Sequence, residues 1–261
     1  MTGRCIACGG SSLKPIYAGL FQCQHCKHAA APSGVHLQEL YTADYFLGGE
    51  YRNYLDDKKV LQRNFRNRLR VLDRFLTTDH QKLLEIGCAY GFFLELAKDR
   101  FRYATGVDVA SSALRHARAN GLSVFHGNLL ESDLLGYDVA CLWDNIEHLE
   151  RPDLYVEKIA TGMTSGGLIA ITTGDFGSLN ARMRGTRWRL LHPPSHAHYF
   201  TMDSMRAMLD RFGFDTVYAS HCGYWRSLRS MAHGLGLPQW IGRGSLYLNL
   251  YDIMYVIGRK R

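Results

Sequence analysis

The chain lacks long apolar runs. No stretch approaches the roughly 18 consecutive apolar residues that a membrane-spanning helix needs, so we expect no membrane span. The first residues, Met1–Cys5, also lack the apolar region of a secretory signal peptide, so we expect a cytoplasmic protein. In that reducing compartment, seven cysteines favour metal ligands or buried thiols over disulfides.

Acidic residues are scarce in the last third of the chain. Residues 180–261 carry 12 Lys and Arg against 4 Asp and Glu, residues 81–179 carry 8 against 13, and residues 1–80 carry 11 against 7. A basic last third is complementary to a partner that carries phosphate or carboxylate groups. The alternative, a chance distribution of surface charge, stays open at this point.

The cysteine spacing predicts a metal-binding module in front of one large domain. The 261 residues, 46% of them hydrophobic, are enough for such a domain with a small appendage. Two C-x2-C pairs, separated by the length of a hairpin, are what four thiolates around one tetrahedral zinc ion require. We therefore predict a structural zinc ribbon over residues 1–34, with an iron–sulfur site or a redox pair as alternatives. Its predicted ligands are Cys5, Cys8, Cys23 and Cys26.

A linker and a helix are predicted between this ribbon and the main domain, over residues 35–80. The linker is rich in aromatic residues and either folds over the mouth of a site or packs between ribbon and main domain. From Asp56 to Leu76, apolar residues recur at helical spacing with only Arg68 out of place, which predicts an amphipathic helix. Its basic face is typical of a solvated helix, and contact with nucleic acid is the alternative.

Strand and helix patterns alternate from Leu83 onward, which predicts a parallel sheet with helices on both faces. The first strand ends at Ile86, and small residues at positions 87, 89 and 91 then form a tight turn that lets the backbone approach a ligand. Asp108 ends the second strand, where a carboxylate can accept hydrogen bonds from ribose hydroxyls. Ser111 and Ser112 are expected to cap the helix that follows. NAD enzymes share the acid, so this feature alone does not select the cofactor.

Two stretches resemble the class I S-adenosylmethionine (SAM) methyltransferases: Glu85-x-Gly87-x-Ala89-x-Gly91, and the run Asp138–Leu149 around the fourth strand. The resemblance implies an α/β fold over residues 81–261, a Rossmann-like sheet of seven strands whose last strand, predicted over Leu246–Ile257, is antiparallel. It also implies SAM as the cofactor, with Glu85 beside the amino group of its methionine part. Ala89 departs from the family, which most often has glycine there. The cofactor-binding residues implied in this way are Glu85, Gly87, Cys88, Ala89, Gly91, Asp108, Val109, Asn128, Trp143 and Asp144.

Two insertions, residues 175–200 and 222–245, are expected at the C-terminal edge of the sheet, where substrates bind. The first ends in His196-Ala197-His198-Tyr199-Phe200, which resembles the His-x-x-Tyr-Phe element of sugar methyltransferases that also carry an N-terminal zinc-binding region. On that resemblance His196 is the predicted general base, with His148 and His198 as alternatives. Ser195 stands where that group has glutamate. The predicted acceptor-binding residues are Arg187, Trp188, Arg189, His192 and Tyr199.

The sequence thus predicts a SAM-dependent methyltransferase that methylates a hydroxyl on a sugar or another small anionic acceptor. Neutral imidazole suits this reaction because its ordinary pKa, near 6.5, leaves it largely unprotonated at neutral pH. A metal on the loop histidines is disfavoured because Pro193-Pro194 precludes a helix that holds positions 192 and 196 on one face. The alternatives are an rRNA or tRNA methyltransferase and a non-catalytic SAM-binding protein. Nitrogen and carbon stay open as acceptor atoms.

Overall fold

The computed structural model describes residues 3–32, 54–193, 195–229, 231 and 244–261. The strands in this part of the chain are β1 (Leu13–Pro15), β2 (Phe21–Cys23), β3 (Ala29–Ala30), β4 (Lys82–Ile86), β5 (Tyr103–Asp108), β6 (Ser123–His126), β7 (Val139–Trp143), β8 (Leu168–Gly174), β9 (His198–Tyr199), β10 (Phe214–His221), β11 (Tyr224–Ser227), β12 (Ser245–Leu248) and β13 (Ile253–Lys260). The α-helices are α1 (Lys58–Leu72), α2 (Leu94–Ala97), α3 (Ser111–Ala119), α4 (Pro152–Gly162), α5 (Leu179–Arg184) and α6 (Met202–Arg211).

The largest sheet has seven strands in the order β10-β13-β8-β7-β4-β5-β6. Strands β4 to β8 pair in parallel, whereas β13 runs antiparallel to both of its neighbours, β10 and β8. The chain order reverses beside β4, whose neighbours are β7 and β5, and such a reversal leaves a crevice at the carboxyl ends of the strands. The predicted α/β sheet with an antiparallel last strand is confirmed.

Apolar cores cover both faces of this sheet. Along β7 the side chains alternate: Ala140 and Leu142 enter one core, whereas Val139, Cys141 and Trp143 enter the other. All five are buried, as expected for a central parallel strand that is covered on both sides. Helices α4 and α6 supply the first core, and α1, α2 and α3 supply the second. The carboxyl edge is therefore where polar groups of the strands and loops collect.

The cysteine module, residues 3–32, is joined to the rest of the structure by a shared sheet. Strands β1, β2 and β3 are antiparallel, and β9, which comes from the first insertion, adds to β3 as a fourth strand. The N–H of Ala31 also donates to the carbonyl oxygen of Ala197 at 2.9 Å. The module is thus joined by strand pairing to the insertion that the sequence predicts to bind the acceptor.

The predicted last strand, Leu246–Ile257, divides into two strands. The first part belongs to β12, which pairs with β11 in a separate two-stranded sheet, and only β13 enters the main sheet. Between them Tyr251 adopts a positive φ of 53°, so the chain turns there. The prediction of a single strand was wrong because apolar spacing continues across the turn.

Two local predictions near the site also need correction. The helix predicted over Asp56–Leu76 spans Lys58–Leu72, and the residues that follow form tight i→i+3 turns. Ser111 and Ser112 do not cap α3, because they lie inside its first turn. The N–H of Ala110 instead donates to the carboxylate of Asp108 (2.8 Å).

Most of the aromatic linker, residues 33–53, lies outside the described residues. Its end is described: the ring of Tyr54 stacks on those of Tyr90 (5.3 Å between centroids) and Phe92 (5.4 Å). This places the end of the linker against the turn that follows β4. In the described part of the chain, every helix is too short or too polar to cross a membrane.

Candidate functional site

The turn after β4 is shaped for close approach of a ligand to the backbone. Gly87 and Gly91 both have a φ of 76°. A Cβ atom at Gly87 would collide with the side chain of Asn145, so glycine is required there for two reasons. Ala89, the departure from the family pattern, also adopts the left-handed conformation, with a φ of 44°. The chain therefore keeps the shape of the glycine-rich turn even where it has alanine.

Asp108, at the end of β5, faces this turn. Its Oδ2 accepts a hydrogen bond from the N–H of Ala89 and its Oδ1 from that of Ala110, both at 2.8 Å. Burial raises the pKa of Asp108, and the backbone donors oppose this shift. A carboxylate oxygen has more than one acceptor site, so both oxygens can still take hydroxyl donors. The neighbouring Val109 is 40% exposed on the same edge of the sheet.

Glu85, the predicted partner of an amino group, carries an unsatisfied buried oxygen. The residue is 2% exposed, and its Oε2 has no hydrogen-bond partner among the described residues. Burial, then the charge of Asp108, raises its pKa well above the ordinary value, while Arg68 opposes the shift. A cationic donor placed against Oε2 would satisfy the oxygen and favour the ionised carboxylate.

Arg68, the residue that interrupts the apolar face of α1, is a buried partner of the site. Its Nη2 lies 2.5 Å from Oδ2 of Asp144 and donates to the Tyr224 hydroxyl at 2.6 Å. Oδ1 of Asp144 accepts from the hydroxyls of Tyr224 (2.6 Å) and Thr172 (3.0 Å). Burial alone would raise the pKa of Asp144, but Arg68 and these donors hold it below its ordinary value. The carboxylate of Asp144 therefore joins α1, β8 and β11, and the contact of Asp144 with the cofactor stays a prediction.

Three other residues predicted to bind the cofactor have side chains that are engaged in the fold. Cys88 is 4% exposed and its sulfur packs against β5. Trp143 is 7% exposed and lies edge-on between two aromatic rings. Oδ1 of Asn128 accepts from the N–H of Leu130 (2.9 Å) and the hydroxyl of Tyr155 (2.6 Å).

Histidines from two loops meet beyond the carboxyl end of β7. Nδ1 of His148 donates to the Ser195 carbonyl (2.8 Å), and Nδ1 of His196 donates to the Leu190 carbonyl (2.9 Å). The His196 ring lies edge-on to His148 (4.6 Å between centroids) and stacks on His192 (4.5 Å). His196 is 7% exposed, and burial, then the two neighbouring imidazoles, lowers its pKa to about 3. The predicted base is therefore a neutral imidazole whose Nε2 is its acceptor atom.

Glu147 joins these histidines, and the sequence did not single it out. It is 5% exposed, and burial, then the charge of Asp144, raises its pKa to about 8. One ligand atom from each of Glu147, His148 and His196 lies within 4.8 Å of the other two, a spacing that could also hold a metal ion. We call Glu147, His148, His192 and His196 the histidine cluster.

His198 lies outside this cluster. Its ring stacks on that of His28 in the cysteine module (5.3 Å, 25° between planes), and its Nε2 donates to the Glu150 carbonyl (3.2 Å). Burial, then the charge of His28, lowers its pKa to about 3. β9 thus places the His198 ring against the module, and its role as an alternative base stays a prediction.

The predicted acceptor-binding residues divide into two groups. Nε1 of Trp188 (3.0 Å) and Nη2 of Arg189 (2.9 Å) both donate to the carboxylate of Asp252, which is 1% exposed. Trp188 and Tyr199 are buried in the small core of the insertion, and their contact with the acceptor stays a prediction. Arg187 is exposed, and the guanidinium of Arg189 is partly exposed, so both can meet a ligand.

The four cysteines of the module converge as predicted. The Sγ atoms of Cys5 and Cys26, and those of Cys8 and Cys23, are 3.6 Å apart, and all four lie within 4.8 Å of one another. A tetrahedral zinc ion with Zn–S bonds of 2.3 Å separates its sulfur ligands by about 3.8 Å. The hydrogen bond with Cys26 lowers the pKa of Cys5 and so favours a thiolate. The residues present fit a zinc ion.

A family model described as a methyltransferase domain matches residues 56–219. The match takes in more than half of the chain, including the turn after β4, Asp108 and the loop of His148. The chain belongs to this methyltransferase-domain family. The prediction of a methyltransferase is thereby confirmed.

Solved structures similar to this methyltransferase share its fold. One is a SAM-dependent methyltransferase of Thermotoga maritima, described as a possible histamine N-methyltransferase, with 16% identity and a TM-score of 0.57 over 87% of this chain and all of that one. Another, a SAM-dependent methyltransferase of Archaeoglobus fulgidus, has 17% identity and a TM-score of 0.57 over 79% of this chain and 99% of that one.

Curated relatives match a shorter part of the methyltransferase. The ubiquinone biosynthesis O-methyltransferase of Idiomarina loihiensis is 28% identical over 36% of this chain and 42% of its own length. The enzyme of the same name from Chromobacterium violaceum is 25% identical over 41% of this chain and 50% of its own length. The chain thus spans about half the length of the curated relatives it matches.

Three residues of the methyltransferase site were not predicted from the sequence: Arg68, Glu147 and Tyr224. The sequence does carry a signal for Arg68, because it is the charged residue that breaks the apolar face of a helix. Glu147 also had one, because it directly precedes His148 in the stretch that resembles SAM methyltransferases. Tyr224 had none, because its hydroxyl bonds to a residue 80 positions away in the chain, Asp144.

Proposed function

We propose that this methyltransferase transfers the methyl group of SAM to a hydroxyl of a small anionic acceptor, such as a sugar derivative. The observation that carries the proposal is the buried, unsatisfied carboxylate oxygen of Glu85 beside the left-handed turn at Gly87–Gly91. A carboxylate at this place suits a ligand with an ammonium group and repels a phosphate. It therefore favours SAM over a dinucleotide.

The residues of the crevice fit both ends of SAM. Glu85 would accept from the ammonium of the methionine part through its unsatisfied Oε2. Asp108 would accept from the ribose hydroxyls. When bound, SAM supplies a methyl group on a positively charged sulfur, which is already reactive toward nucleophiles. The protein mainly holds the acceptor in line and excludes water, an effect worth up to about 7–11 kcal/mol.

We propose His196 as the group that takes the proton of the acceptor hydroxyl. Its Nδ1–H is held by the Leu190 carbonyl, so the lone pair of Nε2 is its acceptor site. Burial makes this imidazole a weak base. A weak base suffices if the proton moves as the C–O bond forms, because the hydroxyl becomes strongly acidic at that stage. His148, in the same cluster, is the alternative.

An anionic acceptor is proposed because of the charge around the first insertion. Arg187 is exposed, and Nε of Arg189 is buried without a hydrogen-bond partner among the described residues. A phosphate or carboxylate on the acceptor would satisfy such a donor. The likeness to enzymes named ubiquinone biosynthesis O-methyltransferases supports oxygen as the acceptor atom.

We also propose that Cys5, Cys8, Cys23 and Cys26 hold one structural zinc ion. All four corners of the tetrahedron are protein sulfurs, so the ion would stabilise the module and take no part in methyl transfer. A module of about 30 residues cannot bury a sufficient core alone, and metal binding supplies the missing stability.

The test combines binding with methyl transfer. Calorimetry should show SAM binding, and binding of NAD without SAM would refute the proposal. Transfer of isotope-labelled methyl groups to a panel of sugar nucleotides, sugar phosphates and phenolic acids should identify the acceptor class.

His196→Ala should lower turnover by about 10²–10⁴. His80→Ala is the matched control. His80 is also buried (6% exposed), but it lies just before β4, the first strand of the main sheet, and bonds to the Gly166 carbonyl. Equal turnover of the two variants would refute His196 as the base.

A further inference from the structure

We infer that the cysteine module holds the acceptor side of the site in position, and that His28 is a positioning residue for the loop that carries His196. The inference rests on the proposed role of the histidine cluster. It goes beyond a zinc ion that merely folds its own segment. We call residues 195–201 the histidine loop.

The histidine loop is held from two sides. On one side the N–H of Ala197 donates to the carbonyl of Glu147 (2.9 Å), which places the loop against the residues after β7. On the other side its strand, β9, pairs only with β3 of the cysteine module among the described residues, and the N–H of Ala31 donates to the carbonyl of Ala197 (2.9 Å). Ala197 follows His196 directly. The backbone next to the proposed base is therefore fixed by the module.

The module also completes the small core of the first insertion. Leu20 and Ala29, both 0% exposed, pack with Phe176, Trp188 and Tyr199 of the insertion. Leu20 and Ala29 close this cluster on the module side, so loss of the module would expose the apolar residues that the insertion contributes. Tyr199, which packs next to His196 at 6.3 Å between centroids, would then lose its support.

His28 joins the cysteines to the histidine loop. Its Nδ1 lies 3.9 Å from Sγ of Cys5, and its ring stacks on His198 (5.3 Å) and lies tilted against Phe200 (4.9 Å). The residue is 3% exposed. A parallel link is the hydrogen bond from the hydroxyl of Thr201 to the carbonyl of Cys26 (3.2 Å). His28 thus links Cys5 directly to the histidine loop, through its contact with Sγ and its ring contacts with His198 and Phe200.

The SAM half of the site shares no strand pairing with the module among the described residues. The turn after β4, Asp108 and Glu85 lie on β4 and β5, and the described strands that pair with these are β7 and β6. Release of the module should therefore loosen the histidine loop and leave SAM binding intact.

The test uses the full chain in its zinc-loaded and chelator-treated forms, and it needs no identified acceptor. Hydrogen exchange of peptides that cover residues 195–201 reports the loop, and the rate of diethylpyrocarbonate modification of His196 reports its enclosure. Calorimetry with SAM is run in parallel. We expect zinc removal to accelerate exchange and modification by about tenfold or more, as for release of a local cooperative unit, with SAM affinity changed less than about twofold.

Three variants keep the test valid if zinc removal unfolds too much or if zinc is absent. His28→Ala should accelerate loop exchange, and His28→Phe, which keeps an aromatic ring against His198 and Phe200, should restore most of the protection. Lys14→Ala is the control within the module, because Lys14 is an exposed residue of β1, at the far edge of the shared sheet.

The outcomes separate the inference from the proposed function. Unchanged exchange and modification in both the zinc-free protein and His28→Ala would overturn the inference while leaving the proposed function in place. Failure to bind SAM in the zinc-loaded wild type would overturn the proposed function. Equal effects of His28→Ala and Lys14→Ala would also overturn the inference, because any change in the module would then act alike.

Discussion

Replacement of Arg68 by leucine should destabilise the fold chiefly by leaving the carboxylate of Asp144 unpaired. The guanidinium side chain is 7% exposed and the Asp144 side chain 31% exposed. Breaking a fully buried pair costs about 3–5 kcal/mol, whereas an exposed pair contributes about 0–1 kcal/mol. The partial exposure of Asp144 places Arg68→Leu between these limits, at about 2–3 kcal/mol of unfolding free energy, or about 4–12 °C in Tm for a chain of this size.

The loss should depend on pH. In the wild type the pKa of Asp144 is lowered in the folded state, so the pair contributes stability above the unfolded value near 3.9 and loses it as pH falls through the lower folded value. Without Arg68, burial raises the pKa of Asp144, and protonation then relieves the variant as pH falls. The gap in unfolding free energy should therefore be larger at pH 7.5 than at pH 5.

Urea unfolding followed by circular dichroism at both pH values measures the gap. The double variant Arg68→Leu/Asp144→Asn should recover much of the loss, because it removes the stranded charge. Arg70→Leu is the matched control, since Arg70 is an exposed residue of the same helix whose side chain bonds only to Asn67 among the described residues. A loss below about 0.5 kcal/mol for Arg68→Leu, or a gap that does not change with pH, would refute the reasoning.

Further predictions concern the site residues. Glu85→Gln should weaken SAM binding by at least about tenfold in calorimetry, since a neutral amide replaces the partner of an ammonium group; unchanged affinity would contradict the assigned role. Ala89→Gly should change the unfolding free energy by less than about 1 kcal/mol, because relief of the left-handed conformation offsets the lost methyl contact and the added freedom of the unfolded chain; a larger loss in urea unfolding would count against this balance. His196→Gln should flatten the fall in stability between pH 6.5 and 3. In that window His196 binds a proton in the unfolded chain but stays neutral in the folded protein, where it is buried beside His148 and His192, with Asp144 more distant. If the slope of unfolding free energy against pH is unchanged in the variant, His196 does not carry this titration. Freshly purified protein should contain close to one zinc per chain by elemental analysis, and less than about half an equivalent would speak against the four-thiolate site.

The sequence predicts the sheet and the cofactor side of the site because their signals are local. The strand that ends at Ile86, the left-handed turn and Asp108 all follow from residues that are close in the chain, and the fold places them as expected. A short turn needs particular residue types at fixed spacing, and such a requirement is visible in one dimension.

The long-range contacts of the site could not be predicted from the sequence, because they join distant segments. Asp144 was assigned to the cofactor, but its partners come from α1, β8 and β11. His198 was assigned to the site, but a strand pairing turns it toward His28. A charged residue on an apolar helix face, such as Arg68, shows that a buried partner exists without showing which one.

The pairing of β3 with β9 has a consequence for how the chain folds. Cys26 and Thr201, which bond across this junction, are 175 positions apart. A growing chain therefore exposes the open side of β3 during synthesis of the whole intervening stretch. Such long-range closure slows folding, and an unpaired strand edge invites association with other chains. Early metal binding would fold the rest of the module but would leave the open edge of β3 without its partner. The pairing of β3 with β9 is therefore one of the last features to form.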